Sequence, residues 1–155
     1  MIPSTRILMV CLGNICRSPL AEGVLRSMLD KDFFEVDSAG TAGYHIGQAP
    51  DNRSILVAKK YGIDISSLKG RIFTPEDFDK FDYIFVMDKS NYKDILSLAK
   101  SEKQREKVSF LLDTLDYPME MKELPDPYYG SEKDFIFTYL EIKKACKEIA
   151  RKLQL

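Results

Sequence analysis

VCLGNICRSP (residues 10–19) follows without a break on RILMV (6–10), and the junction between the two decides the fold. RILMV is a near-continuous apolar run, the mark of a strand buried on both faces. Ser18-Pro19 reads as an N-cap followed by proline at the first helical position. Leu20, Val24, Leu25, Met28 and Leu29 keep helical spacing behind it. A buried strand therefore ends at Val10, a short loop carries Cys11, and a helix starts at once.

The same alternation continues down the chain. FFEVDSAG (33–40) reads as a strand ending in a turn, and PDNRSILVAKKYG (50–62) as a helix stopped by Gly62. FDYIFVMD (81–88) is a third strand, NYKDILSLAK (91–100) a third helix, and VSFLL (108–112) a fourth strand. A long loop, 113–130, leads into a final helix from about 131. There Phe135, Tyr139, Ile142, Cys146, Ile149 and Leu153 form a single apolar stripe. Strands alternating with helices predict an α/β fold: one domain over 1–155, with a four-stranded parallel sheet and helices on both faces. The charge run KSEKQREK (100–107) reads as solvated surface.

Composition narrows the class. A chain of 155 residues is one domain by default, large enough to bury roughly two-thirds of its unfolded surface. It is 45% hydrophobic and 30% charged, with a net charge of −1, so it carries no electrostatic footprint for nucleic acid. No apolar run approaches the length of a membrane span. ILMVCLG (7–13) has the look of a short signal-peptide core, but Asn14 and Arg17 follow at once, and a buried strand explains it better. Three cysteines are an odd number for a disulfide scaffold, which points to a reducing compartment and a cytoplasmic protein.

The chemistry gathers where the first strand ends. In a doubly wound sheet, ligands bind beyond the carboxyl ends of the strands. Cys11 sits there, with residues 12–17 forming a loop into a helix. Successive N–H groups of such a loop can turn inward as a nest, and the helix N-terminus adds partial positive charge. The place suits a dianion. It is not a nucleotide P-loop, because the lysine and second glycine of that pattern are missing. Such a setting brings a cysteine pKa to roughly 3.5–7.5, making the thiolate a nucleophile. Arg17 adds a planar fork for two phosphate oxygens, which lysine could not match. Cys11 is thus placed to attack phosphorus while the loop and Arg17 hold the equatorial oxygens. Cys11 and Cys16 have no third or fourth ligand nearby, so no metal site is expected.

A phosphate ester attacked by a thiolate needs a leaving-group acid. His45 is the only histidine and reads as surface. The candidate lies in LPDPYYG (124–130), where Pro125 and Pro127 hold Asp126 extended. Tyr128 and Tyr129 could wall a cleft for an aromatic ring. By spacing alone the stretch reads better as a rigid surface turn. Its match to Cys11 and Arg17 favours the acid.

Over essentially its whole length the sequence resembles the low-molecular-weight protein tyrosine phosphatases. The resemblance is carried by VCLGNICRSP (10–19), DSAGT (37–41), MDKSN (87–91) and DPYYG (126–130). It implies a cofactor-free, metal-free phosphomonoesterase of the low-molecular-weight acid phosphatase type. Such an enzyme acts on phosphotyrosine-containing proteins through a phosphocysteine intermediate and releases inorganic phosphate. Cys11 matches the nucleophile, Arg17 the phosphate-binding arginine, and Asp126 the acid that later activates water. Leu12, Gly13, Asn14, Ile15, Cys16 and Ser18 fall in the phosphate-binding loop. Asn14, Ser18 and Ser38 match its bracing positions, Ile15 a loop side chain facing the cleft, and Tyr44, Tyr128 and Tyr129 the cleft wall. Cys16 matches a second cysteine able to form a reversible disulfide with the nucleophile, and Asp88 an acidic residue that orders the region. One departure is Leu68 in GIDISSLKGRIFT (62–74), where the family often has a loop-bracing histidine. Leucine cannot hydrogen-bond, so Asn14, Ser18 and Ser38 are expected to carry the bracing, with Asn14 able to tolerate a left-handed backbone.

Two other readings fit part of the pattern. Arsenate reductases share this fold and loop, but the thioredoxin-coupled kind needs further cysteines, and only Cys146 remains, on the stripe of the last helix. A catalytically idle phosphotyrosine-binding module would not need Cys11, Arg17 and Asp126 together.

Overall fold

The computed structural model describes residues 5–154. Its strands are β1 (Thr5–Cys11), β2 (Phe34–Gly40), β3 (Tyr83–Val86) and β4 (Val108–Phe110). They form one parallel sheet in the order β2-β1-β3-β4. The apolar run at 6–10 has a direct cause. With a side-chain period of two, Ile7, Met9 and Cys11 enter the core on one face, and Leu8 and Val10 enter a separate core on the other. On the first face lie α1 (Arg17–Met28), α2 (Asn52–Lys60) and α6 (Glu132–Leu153). On the second lie α3 (Asp77–Lys80), through Phe78, and α4 (Lys89–Leu96), through Ile95.

The stripe foreseen on the last helix faces inward, Tyr139 onward joining the core that holds α1 and Phe135 packing with Ile15 and Cys16 of the loop. Phe135, Tyr139, Ile142, Cys146 and Ile149 are buried, while Leu153 is only partly so. Full burial of one large apolar side chain is worth about 1.5–3 kcal/mol. This contact therefore fixes α1 firmly, and with it the loop that α1 terminates.

Several boundaries differ from the sequence reading. Ser18 is not the N-cap: α1 begins two residues earlier, at Arg17, and the capping position is Cys16, which makes no side-chain cap bond. The Ser18 hydroxyl is engaged by Cys11 and Asn14 instead. The third strand is shorter than 81–88, because Phe81 N–H closes α3 on Asp77 O, and Asp88 is spent as the cap of α4. That cap also starts α4 two residues before 91. The fourth strand stops at Phe110, where Asp113 accepts the Phe110 N–H at 2.9 Å and winds Leu111–Thr114 into a 3₁₀ turn. The charge run holds a short helix, α5 (Glu102–Arg105), which buries no residue, in keeping with a solvated segment. Because β1 lies between β2 and β3, the strand order switches direction at β1, and Cys11 ends at that switch point.

Candidate active site

Cys11, the last residue of β1, is 3% exposed at the floor of a cleft of about 200 Å³. The loop that follows is tied outward through its carbonyls. Cys11 O accepts from Thr41 N at 2.9 Å, Leu12 O from Ala42 N at 3.0 Å, and Ile15 O from Asp51 N at 2.8 Å. Gly40 is required beside it, since a Cβ there would meet Leu12 O at 2.8 Å. Asn14 turns the loop with φ of 58°, the left-handed conformation a short polar residue tolerates best after glycine.

The Asn14 side chain braces the loop from behind. Its Oδ1 accepts from Arg71 N at 3.0 Å, and its Nδ2 donates to Ser18 Oγ at 2.7 Å and Ser38 Oγ at 3.0 Å. Ser18 Oγ lies 3.0 Å from Cys11 Sγ, which also accepts from Ser18 N at 3.4 Å. Leu68 takes no part and packs against the apolar core.

Arg17 is among the largest fully buried side chains in the molecule. Its Nη1 donates to Asp88 Oδ2 at 2.7 Å and to Leu124 O at 2.8 Å, which sets the plane of the guanidinium. Its Nη2 lies 3.6 Å from Asp126 Oδ2, and its buried Nε has no partner among the described residues. Burial pulls the guanidinium down. Cys11, Asp88 and Asp126 outweigh that pull and leave its pKa above the ordinary value. A buried cation with one free donor edge beside a thiol has the chemistry to receive an anion.

The walls come from two loops. One carries Tyr44 and His45; the other carries Asp126, Tyr128 and Tyr129. The Asp126 side chain is 39% exposed, and Oδ1 accepts from Tyr128 N at 3.1 Å, which keeps the acid and the ring in fixed relation. Tyr129 is 97% exposed and Tyr44 73%, so each ring has a face free at the rim. Cys16 also lines the cleft. Burial first, then the charges of Asp51, Cys11 and Asp126, push its thiol up to about 12. It is therefore a protonated thiol near neutral pH. Cys146 is fully buried on α6, and burial alone raises its pKa.

A family profile described as low molecular weight phosphotyrosine protein phosphatase matches residues 6–155. The chain belongs to that family. The Homo sapiens low molecular weight phosphotyrosine protein phosphatase is 41% identical over 150 residues, 94% of each chain. The Gallus gallus protein of the same name is 40% identical over 150 residues, with the same coverage. Among solved structures, a protein tyrosine phosphatase from Entamoeba histolytica with Hepes in its active site superimposes with a TM-score of 0.90 at 39% identity, covering 97% of both chains. Vibrio vulnificus Wzb in complex with benzylphosphonate gives 0.84 at 32% identity, covering 96% of this chain and 99% of that one.

Every residue singled out from the family motif lies at this one place. Cys11, Leu12, Gly13, Ile15, Cys16, Arg17, Tyr44, Asp126, Tyr128 and Tyr129 line the cleft, while Asn14, Ser18, Ser38 and Asp88 stand behind it. Two residues were missed. His45, read as surface, lines the cleft half-buried, its Nδ1 held 2.9 Å from Gln48 Oε1. Its adjacency to Tyr44 was the available signal. Glu22, buried in α1, bonds to Ser38. Apolar spacing hid it, because residues 17–25 of α1 are all buried and the helix has no polar face there.

Proposed function

We propose that this chain hydrolyses phosphotyrosine in proteins, and aryl phosphate monoesters generally. What carries the reading is the buried Arg17 guanidinium, with its unpartnered Nε, beside the Cys11 sulfur at the floor of a ring-walled cleft. The phosphoryl oxygens are held by Arg17 and by main-chain N–H groups of residues 12–17, and the aromatic ring lies between Tyr44, Tyr128 and Tyr129. The Cys11 thiolate attacks phosphorus. As the P–S bond forms, the bond to the phenolic oxygen breaks, and Asp126 gives that oxygen its proton. The Asp126 carboxylate then takes a proton from water, whose oxygen attacks phosphorus. The P–S bond breaks, returning the thiolate and releasing inorganic phosphate. Asp88 holds Arg17 in plane throughout.

The relative solved with benzylphosphonate, an aryl ring one carbon from a phosphonate, binds a ligand of the same shape. A relay to a third cysteine, as in thioredoxin-coupled arsenate reduction, finds no support: Cys146 lies within the core, 3.9 Å from Ala21 O. The near-neutral charge and three free cysteines support a cytoplasmic protein with no nucleic-acid partner, acting as one phosphatase domain over 1–155. No helix among the described residues is long and apolar enough to cross a membrane.

The test is turnover of p-nitrophenyl phosphate and of a phosphotyrosine peptide. Cys11→Ser abolishes both while phosphate still binds. Asp126→Ala slows the peptide by about 10²–10⁴ and the activated phenol less, since nitrophenolate leaves without a proton. Phosphotyrosine hydrolysis that survives Cys11→Ser, or proceeds at the wild-type rate in Asp126→Ala, refutes these roles. An idle binding module would hold the peptide and release no phosphate.

A further inference from the structure

One buried carboxylate has no part in the chemistry above. Glu22, in α1, is 3% exposed. It accepts from Ser38 Oγ at 2.6 Å and pairs with Arg26 one turn on. Arg26 is itself anchored by donating to Val36 O at 2.7 Å. Burial raises the pKa of Glu22, Ser38 and Arg26 pull it down, and Asp37 pushes it up, with a net rise.

The direction of every hydrogen bond from Glu22 to the floor of the cleft can be deduced. Arg71 N–H can only donate, so it is the oxygen of the Asn14 amide that faces it. The amide NH₂ must then face both serines, and both serine oxygens accept from it. Each serine has one proton left. That of Ser38 goes to the Glu22 carboxylate. That of Ser18 goes to the Cys11 sulfur at 3.0 Å, the alternative being Ala39 O at a weak 3.5 Å. An ionised Glu22 accepts only, so it keeps the far end of this chain polarised one way. A protonated Glu22 could donate to Ser38 and turn its hydroxyl against Asn14.

We propose that Glu22, paired with Arg26, is a positioning residue: by accepting the Ser38 proton it leaves the Ser38 oxygen to accept from Asn14, and, with Arg71 N–H on the other end of the amide, it holds Asn14 and the Ser18 hydroxyl in register with the Cys11 sulfur. The inference rests on the reading of Cys11 as nucleophile. With Leu68 packed against the core, the polar end of the bracing falls to this pair. Arg26 on its own helix and Asp37 and Ser38 on β2 face Glu22; Arg17, Cys16, His45, Asp126 and the three tyrosines share the cleft with Cys11.

Two readouts test it: kcat/KM for p-nitrophenyl phosphate against pH, and the rate of Cys11 alkylation by iodoacetate, followed on the Cys11 peptide by mass spectrometry. Glu22→Gln lowers kcat/KM by about tenfold or more and slows alkylation at neutral pH by a similar factor. Arg26 is half exposed, so Arg26→Ala opens no cavity in the core. It loses activity more steeply at mildly acid pH than at neutral pH, because the unpaired Glu22 takes up a proton there, and Arg26→Lys restores the wild-type profile. Alkylation unchanged in Glu22→Gln, or parallel pH profiles for wild type and Arg26→Ala, overturns the proposal whatever the variants do to melting temperature. Alkylation needs no turnover: a wild type that hydrolyses no phosphotyrosine while Glu22→Gln slows alkylation would refute the proposed function and uphold the relay.

Discussion

At Asn14 a left-handed backbone and three side-chain hydrogen bonds meet in one residue. Alanine would keep neither the bonds nor the ease at φ of 58°. Asn14→Ala is therefore expected to cost more than about tenfold in kcat/KM, or about 1.4 kcal/mol of transition-state stabilisation. Leu68→His changes it by less than about tenfold, since the loop is already closed by other partners. Kinetics on both variants at one pH decide, and a near-normal Asn14→Ala beside a large gain in Leu68→His would show an under-braced loop. Cys16 supports a second prediction. Peroxide converts the Cys11 thiolate to a sulfenic acid, and the Cys16 thiol condenses with it, giving a disulfide and water. With the Cys16 pKa pushed up to about 12, little thiolate exists near neutrality, so disulfide formation quickens as pH rises from about 6 to about 9. Enzyme inactivated by peroxide recovers with dithiothreitol, and Cys16→Ser recovers much less. Mass spectra without a Cys11–Cys16 link after mild oxidation would refute this.

Helix α1 carries its own constraint at the level of the element. Gly23 costs roughly 0.5–1 kcal/mol of helix stability relative to alanine. A Cβ there would stand 2.5 Å from Cγ2 of the fully buried Ile65 and 3.3 Å from Cγ2 of Ile63. Overpacking of this kind costs about 1–3 kcal/mol, so the clash outweighs the propensity gain. Gly23→Ala should lower the melting temperature, and a rise in thermal denaturation would show that the 63–65 segment yields freely. Elements with a strong period were legible from residues alone. β1 and α6 announce themselves because each buries a continuous face. The short pieces were not: α3 and the 3₁₀ turn at Leu111–Thr114 are closed by local bonds of Asp77 and Asp113, which leave no hydrophobic rhythm to read.

Across the whole molecule, the sheet order and the return of loop 113–130 join residues far apart in sequence around one cleft. Leu124 O reaches Arg17 across 107 positions, and Asp88 reaches it across 71. An oxyanion that binds only this assembled site stabilises the fold by mass action, about 2.7 kcal/mol at a hundred times its dissociation constant. Phosphate or vanadate at that level should raise the melting temperature by about 5–10 °C. For phosphate the rise should persist in Cys11→Ser, because the holding groups remain. No shift in either protein would mean that the loop and Arg17 do not form the anion site. The residues alone established the strand–loop–helix frame, the place of Cys11 at its switch point and the family motif, because hydrophobic period and short-range spacing are local properties. They also placed Asp126 on a stiff mount, without saying what it faces. Only the folded chain decided that Ser18 serves the sulfur rather than a helix cap, that His45 turns to the cleft, and that Glu22 and Arg26 close the bracing network. Each of those outcomes depends on which polar group a buried donor finds within about 3 Å, and tertiary packing, not sequence period, sets that distance.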